Sequence, residues 1–459
     1  MKEAFARHCR YNPRPDDIFI VTCPKGDTTW MQCVVLSILN GGRLPETTTD
    51  FLLASPFLDL MGAEAAQIKK IETRYNCRVD SNVLFSTYEQ MKENPVAVTL
   101  RIADFIVGEY GCKLGKDSAL FHEVVEATSL ENMKGKLDTM AAEVFRTIEG
   151  IFLAKHFPDD AVRSTLAYKP RPGDLFIVSY PKCGTTWTQY IVYNILTDAE
   201  GPKDDLELLL RLPFLEMQGG EAAAYAPRPA AFKTHLPFDK NPYSLEAKYI
   251  YITRNPYDCC VSFYYHTRNM PPYLFEHGTF DDFFELFLRG RVDFGDYFEN
   301  VLSWYAHRND PNVLFLTYEE LKRDTVSGVL RIAAFIGEEK HSKIKENPEL
   351  LSKILDRCSL QHMKKDVNDG GETLESELKN LPQLKTLKPE LLRGVQNFIE
   401  FTKKPMTGEF IRKGQVGDWK NHFSSEQIRR MKEKIAEATK GSDLMSLWKD
   451  VDIPRMNPN

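Results

Sequence analysis

The sequence predicts an α/β fold: a parallel central sheet flanked by helices. Two observations point there. Short apolar runs at Leu175–Ser179, Lys248–Thr253 and Val313–Thr317 have the length and bounding turns of buried strands. Between them, apolar residues recur at helical spacing, as Trp187, Ile191 and Ile195 do within Thr186–Leu196; Phe280–Phe287 and Val326–Phe335 are further helical stretches. Strands that alternate with helices pair in parallel and need cover on both faces.

At 459 residues the chain has room for two to three domains. Its 42% hydrophobic and 27% charged residues are the mix of an ordinary globular protein. A net charge of −6 argues against a general nucleic-acid binder, which needs a basic stripe. Nine cysteines without a Cys-x-x-Cys pair predict reduced thiols and a cytoplasmic setting. The segment Met1–Asp17 is polar, so no secretory signal is expected, and no run approaches the ~18 apolar residues of a membrane span.

The chain repeats itself. Pro13–Trp30 reads PRPDDIFIVTCPKGDTTW, and Pro170–Trp187 reads PRPGDLFIVSYPKCGTTW. Asn82–Glu89 (NVLFSTYE) likewise answers Asn312–Glu319 (NVLFLTYE). The stretch between the two segments is shorter in the first copy, with a join near Gln67 and Ile68; the missing part corresponds to about Ala224–Phe298. Duplication followed by loss and a misread gene boundary produce the same pattern. The expected division is a truncated repeat over 1–145 and a complete domain over 146–459.

Four segments of the complete copy carry chemistry. Pro181-Lys-Cys-Gly-Thr-Thr-Trp187 joins a strand to a helix, where backbone N–H groups and the positive helix end favour an anion. Gly184 permits close backbone approach, Lys182 adds charge, and Thr185 and Thr186 add hydroxyls. Its spacing is not that of the Walker loop, because the lysine precedes the glycine. Phe232-Lys-Thr-His-Leu-Pro237 places Lys233 and His235 at a strand end. Arg254-Asn-Pro follows a strand, where a guanidinium suits bidentate phosphate contact, and Ser262 stands eight residues on. Arg412-Lys-Gly-Gln-Val-Gly-Asp-Trp419 joins two cations to flexible glycines. Taken singly, each also fits a structural role: a βα turn, a hydrogen-bonded histidine, a solvated loop, and Asp258 as a helix cap.

Together these segments resemble the cytosolic sulfotransferases, over essentially all of residues 146–459. The resemblance implies their P-loop nucleotide-kinase-like fold. It also implies transfer of a sulfuryl group from 3′-phosphoadenosine-5′-phosphosulfate (PAPS) to a small acceptor's hydroxyl or amine, leaving PAP, without a metal. By that resemblance His235 is the general base, while Lys182 and Lys233 stabilise the sulfuryl and leaving-group oxygens. The loop Lys182, Cys183, Gly184, Thr185 and Thr186 cradles the 5′-phosphosulfate, with Cys183 where a serine is usual. Trp187, Tyr318, Cys358, Leu360 and Met363 surround the adenine, Leu360 standing where a phenylalanine is common. Arg254, Ser262, Arg412, Lys413 and Gly414 hold the 3′-phosphate.

The acceptor is expected to be apolar, with Phe214, Tyr225, Tyr264, Phe275 and Phe280 as pocket or core residues. The stretch Lys420–Arg429 departs from the segment through which family members often dimerise, which leaves the oligomeric state open. In the first copy Asp27 stands in the place of Gly184, and counterparts of His235, Arg254, Ser262 and Arg412 are missing. That copy is expected to be inert and to pack on the complete domain. The rival expectation is a catalytically silent PAPS-binding or scaffold protein. No nucleic-acid or membrane partner is expected.

Overall fold

The computed structural model describes residues 95–106, 144–276, 278–368 and 386–455, with the single positions Val35 and Leu384. The chain divides into two units, Met1–Met140 and Ala141–Asn459. In the first, helix α1 (Pro95–Ile106) buries Val98 and Ile102, four residues apart on one face. Lys25, Asp27, Trp30 and Tyr88, on which the repeat was recognised, lie outside the described residues.

The second unit contains an antiparallel ribbon, β1 (Phe145–Ile148) and β2 (Ile151–Ala154). Glu149 and Gly150 turn between them at φ 50° and 82°, the positive values that match a hairpin's twist. Four strands then form a parallel sheet: β3 (Leu175–Val178), β4 (Phe232–Thr234), β5 (Lys248–Thr253) and β6 (Val313–Thr317), in spatial order β4-β3-β5-β6. The chain leaves β3 to build β4 on one side, then returns to build β5 on the other. A crevice therefore opens at the carboxyl ends of these strands, where the winding reverses.

Alternate side chains serve opposite faces. Leu175, Ile177, Ile250, Ile252 and Leu316 pack with Ile191 and Ile195 of helix α2 (Thr185–Leu196) and with Val329 and Ile332 of the helix Thr325–Ile336. Phe176, Val178, Tyr249 and Tyr251 pack with Trp304 of the helix Tyr297–Tyr305. The helices expected from periodicity are present, and two of the three are opened by a side-chain cap. Gly184 precedes α2, Thr279 makes a capping box for Phe280–Leu288, and Asp324 accepts from the Ser327 N–H to open Thr325–Ile336.

Candidate active site

The segment from Ser179 to Gly184 carries the chain from β3 into α2. Lys182 has φ 67° and Gly184 φ 105°. A Cβ on Gly184 would stand 2.9 Å from Tyr318 Cδ2 and 3.3 Å from Ile252 Cδ1, so this position needs glycine for conformation and for space. No side chain caps α2, so its first-turn N–H groups stay available beside Gly184, Thr185 and Thr186, which line a cavity. Thr185 Oγ1 lies 2.5 Å from Ser179 Oγ.

Cys183 departs from its expected place. Its side chain is fully buried, with Sγ 3.7 Å from Cys259 Sγ, and its N–H donates to the Tyr180 carbonyl at 3.3 Å. It does not line the cavity, because the left-handed residues on either side of it turn the intervening side chain into the core.

The cavity measures about 1350 Å³, above the ~300–1,000 Å³ usual for one small ligand. It is lined by all the other expected site residues: Lys182, Gly184, Thr185, Thr186, Trp187, Lys233, His235, Arg254, Ser262, Tyr318, Cys358, Leu360, Met363, Arg412, Lys413 and Gly414. The sheet explains the convergence. β3 ends at the loop, β4 at His235, β5 at Arg254 and β6 at Tyr318.

At one end, Arg254 is held by a bond from its Nη2 to the Gln415 carbonyl (2.7 Å), with its guanidinium 4.5 Å from the Tyr318 ring centre. Its buried Nε has no hydrogen-bond partner. Helix α3 (Pro256–Asn269) is capped by Asn255, whose side chain accepts from the Asp258 N–H. Asp258 was the alternative reading for this cap. It instead accepts from the Gly417 N–H (2.7 Å) and the Trp419 N–H (3.0 Å), tethering the Arg412–Trp419 segment. Within that segment Asp418 pairs with Arg412 (2.5 Å) and Lys413 (2.7 Å). Their hydrogen bonds hold its carboxyl well below the usual carboxylate range, against the opposing effect of burial. Gly414 has φ 59°, and a Cβ there would meet Leu360 Cδ1 at 2.8 Å. Trp187 donates from Nε1 to the Cys358 carbonyl (3.0 Å) and meets Tyr318 edge-on at 5.4 Å.

Burial lowers the Lys182 pKa to about 7, with Lys233, Arg254 and Arg412 adding repulsion. Burial lowers Lys233 to about 8, opposed by Glu216. Lys182 Nζ lies over the Phe410 ring at 4.0 Å, and Lys233 Nζ over Phe214 at 3.9 Å.

At the other end, His235 Nδ1 lies 2.7 Å from the Ser179 carbonyl oxygen. A carbonyl only accepts, so Nδ1 carries the proton and Nε2 keeps a lone pair. Burial, then Lys233 and Lys182, push the imidazole pKa well below its ordinary value; the Ser179 bond opposes them. Phe214 and Phe294 meet the ring edge-on at 5.3 and 5.1 Å.

Glu216, on the short helix Leu215–Gln218, was not anticipated. Its Oε1 accepts from the His235 N–H (2.7 Å) and from Thr234 Oγ1 (2.8 Å), and burial raises its carboxyl to about 7. Asn300 donates to the His235 carbonyl at 2.9 Å, fixing the same residue from another side. The available signal was a lone glutamate inside the apolar stretch Leu212–Met217. Of the rings expected at an acceptor pocket, Phe214 lines the cavity. Tyr225 is 43% exposed, while Tyr264, Phe275 and Phe280 pack among Phe283, Phe284 and Phe423 outside it. Phe157, Phe294, Phe398, Phe401 and Phe410 line it instead.

Cations gathered at the carboxyl edge of a parallel sheet, beside a neutral imidazole, define a site for a polyanion and a group to be activated. The chain belongs to the sulfotransferase family: the family model described as the sulfotransferase domain matches residues 66–151 and 172–443. It is 34% identical over 295 residues to human Sulfotransferase 1E1, covering 61% of this chain and 88% of that one. It is 32% identical over 288 residues to the rabbit (Oryctolagus cuniculus) Amine sulfotransferase, covering 61% and 85%. The mouse sulfotransferase SULT7A1, solved complexed with PAP, superposes with TM-score 0.50 at 28% identity, covering 67% of this chain and 98% of that one.

Proposed function

We propose that residues 146–459 transfer a sulfuryl group from PAPS to a hydroxyl or amine of a small, largely apolar acceptor, leaving PAP. The observation that carries this reading is the convergence of Lys182, Lys233, Arg254 and Arg412 on the cavity that His235 also lines. Burial lowers Lys182 most, and the repulsion from neighbouring cations that adds to it, like the unpartnered Arg254 Nε, is relieved by a polyanion.

In this reading Arg254, Ser262, Arg412, Lys413 and the Gly414 N–H hold the 3′-phosphate. Trp187, Tyr318, Cys358, Leu360 and Met363 surround the adenine. Lys182, Gly184, Thr185 and Thr186 hold the 5′ end, with Cys183 acting only through the backbone shape it helps to set. PAPS supplies a sulfuryl group on a phosphate leaving group. His235 Nε2 takes the acceptor's proton as the acceptor oxygen or nitrogen bonds to sulfur. Lys182 and Lys233 offset the negative charge on the surrounding oxygens, and the fixed geometry avoids reorganisation during the step.

The first unit, in the same reading, is a truncated duplicate without this grip. Asp27 stands for Gly184, where even a Cβ meets Tyr318 and where a carboxylate repels phosphate. Among the described residues no helix is long and apolar enough to cross a membrane, and no group of three or more His, Cys, Asp or Glu side chains is arranged to hold a metal. A cytoplasmic setting follows from the reduced-thiol composition alone.

The test is incubation of the full chain with labelled PAPS and a panel of phenols, steroids and amines. Labelled sulfate on an acceptor is the expected result. Tight PAP binding with no transfer to any acceptor would replace the enzyme reading with a silent nucleotide binder.

A further inference from the structure

The acceptor end of the cavity is walled mainly by rings, yet it carries a second histidine. His266 lies one helical turn beyond Ser262 on α3, so both face the same side, and both line the cavity. Its Nδ1 is buried with no hydrogen-bond partner. A buried nitrogen without a partner is destabilising, and few native groups are left so. Phe410 and Tyr273 stand edge-on to its ring at 5.6 and 5.7 Å.

Of the neighbouring polar groups, His156 has no hydrogen-bond partner on either ring nitrogen but does not line the cavity, and those that face the cavity are already used. The Tyr273 hydroxyl donates to Asp293 Oδ2, and Asp293 Oδ1 accepts from the Ala154 N–H at 2.6 Å. His235 commits Nδ1 to Ser179, which leaves Nε2 for the reacting group. Burial, and then Lys182, Lys233, His156 and His235, keep His266 neutral. The same lysines disfavour a cationic substituent nearby.

We propose, on the reading of the site given above, that His266 selects acceptors carrying a second, neutral hydrogen-bonding group, such as a hydroxyl, on an otherwise aromatic or apolar body. The group to be sulfated meets His235 Nε2, and the second group satisfies His266 Nδ1. A pocket built around such a bond discriminates against an analogue that lacks the group, whereas a purely apolar pocket distinguishes the two weakly.

The experiment compares isosteric pairs on the full chain: 3- and 4-hydroxybenzyl alcohol against 3- and 4-ethylphenol, with PAPS saturating. The expected result is a kcat/KM about tenfold or more higher for the hydroxymethyl compound of at least one pair. His266→Phe should reverse that preference, and His266→Asn, which keeps a hydrogen-bonding group, should retain part of it. PAP affinity, measured on each variant, confirms an intact nucleotide end. Equal use of both members by the unsubstituted protein, or an unchanged preference in His266→Phe, overturns this inference alone. Transfer to no acceptor at all overturns the parent reading as well.

Discussion

At one end of the cavity Lys182, Arg254 and Arg412 face one another beside Gly184 and Gly414; at the other, Phe157, Phe214 and Phe294 close around His235. The charged end is built from contiguous sequence at strand ends. Its backbone needs positive φ at Lys182, Gly184 and Gly414, and its cations need anchors such as Gln415, Asp258 and Asp418. The aromatic end draws single residues from segments far apart in the chain. A polyanion demands fixed charges and donors, which only particular residues at particular spacings supply. An apolar wall demands shape, which many sequences provide.

The largest effect expected at either end comes from removing a reacting group. Lys182→Ala and His235→Ala should each lower kcat about a thousandfold or more in transfer assays. His235→Ala should leave PAP affinity within about twofold, measured by calorimetric titration, because the imidazole belongs to the acceptor end. Full turnover by His235→Ala would end its assignment as base.

Gly184→Asp places the first copy's Asp27 into the working loop. PAP affinity should fall about a hundredfold or more, since the side chain collides with Tyr318 and brings negative charge to the anion site. An unchanged circular dichroism spectrum would show that the fold survives. Undiminished affinity would remove Asp27 as a reason for calling the first copy inert, leaving only its missing counterparts of His235, Arg254, Ser262 and Arg412.

A smaller effect is expected at the strap behind the base. Glu216→Ala should lower kcat about tenfold with little change in PAP affinity, because the His235 and Thr234 bonds are lost. Glu216→Gln keeps an accepting oxygen and should restore most of the rate. Equal losses in both variants would mean that the negative charge, not the hydrogen bonds, matters.

The smallest effect is a proton count. Lys182 and Lys233 are lowered to about 7 and about 8, so at pH 8 both are partly deprotonated in the free protein. A bound polyanion favours their charged forms and raises both values. Binding PAP at pH 8 should therefore take up roughly one proton, and affinity should weaken as pH rises above 8. Calorimetry in buffers of different ionisation heat gives the number, and proton release would contradict the placement of these lysines.

The charged end was legible because its chemistry is local. Gly184 two residues after Lys182, or Gly414 just after Arg412 and Lys413, can be read without knowing the fold, since each loop follows a strand or carries its own turn. The parallel sheet was legible for the same reason: four- to six-residue apolar runs alternate with helical periodicity. Cys183 was read as a nucleotide contact because the resemblance assigns the whole loop to the phosphosulfate; the left-handed turns at Lys182 and Gly184, which send its side chain inward, are not visible in residue types. A cap was one reading of Asp258, which stands near the start of a helix, yet its partners Gly417 and Trp419 lie across the chain.

The sequence alone determined the alternation of strands and helices, the loop that follows β3 and the identity of the cations that line the cavity, because these depend on spacings of a few residues. Only the tertiary structure decided which tautomer His235 holds, that Glu216 straps it, that His266 lines the cavity and which rings form the wall. Each of those is a contact between segments far apart in the chain, set by how helices pack on the sheet, and no local pattern encodes it.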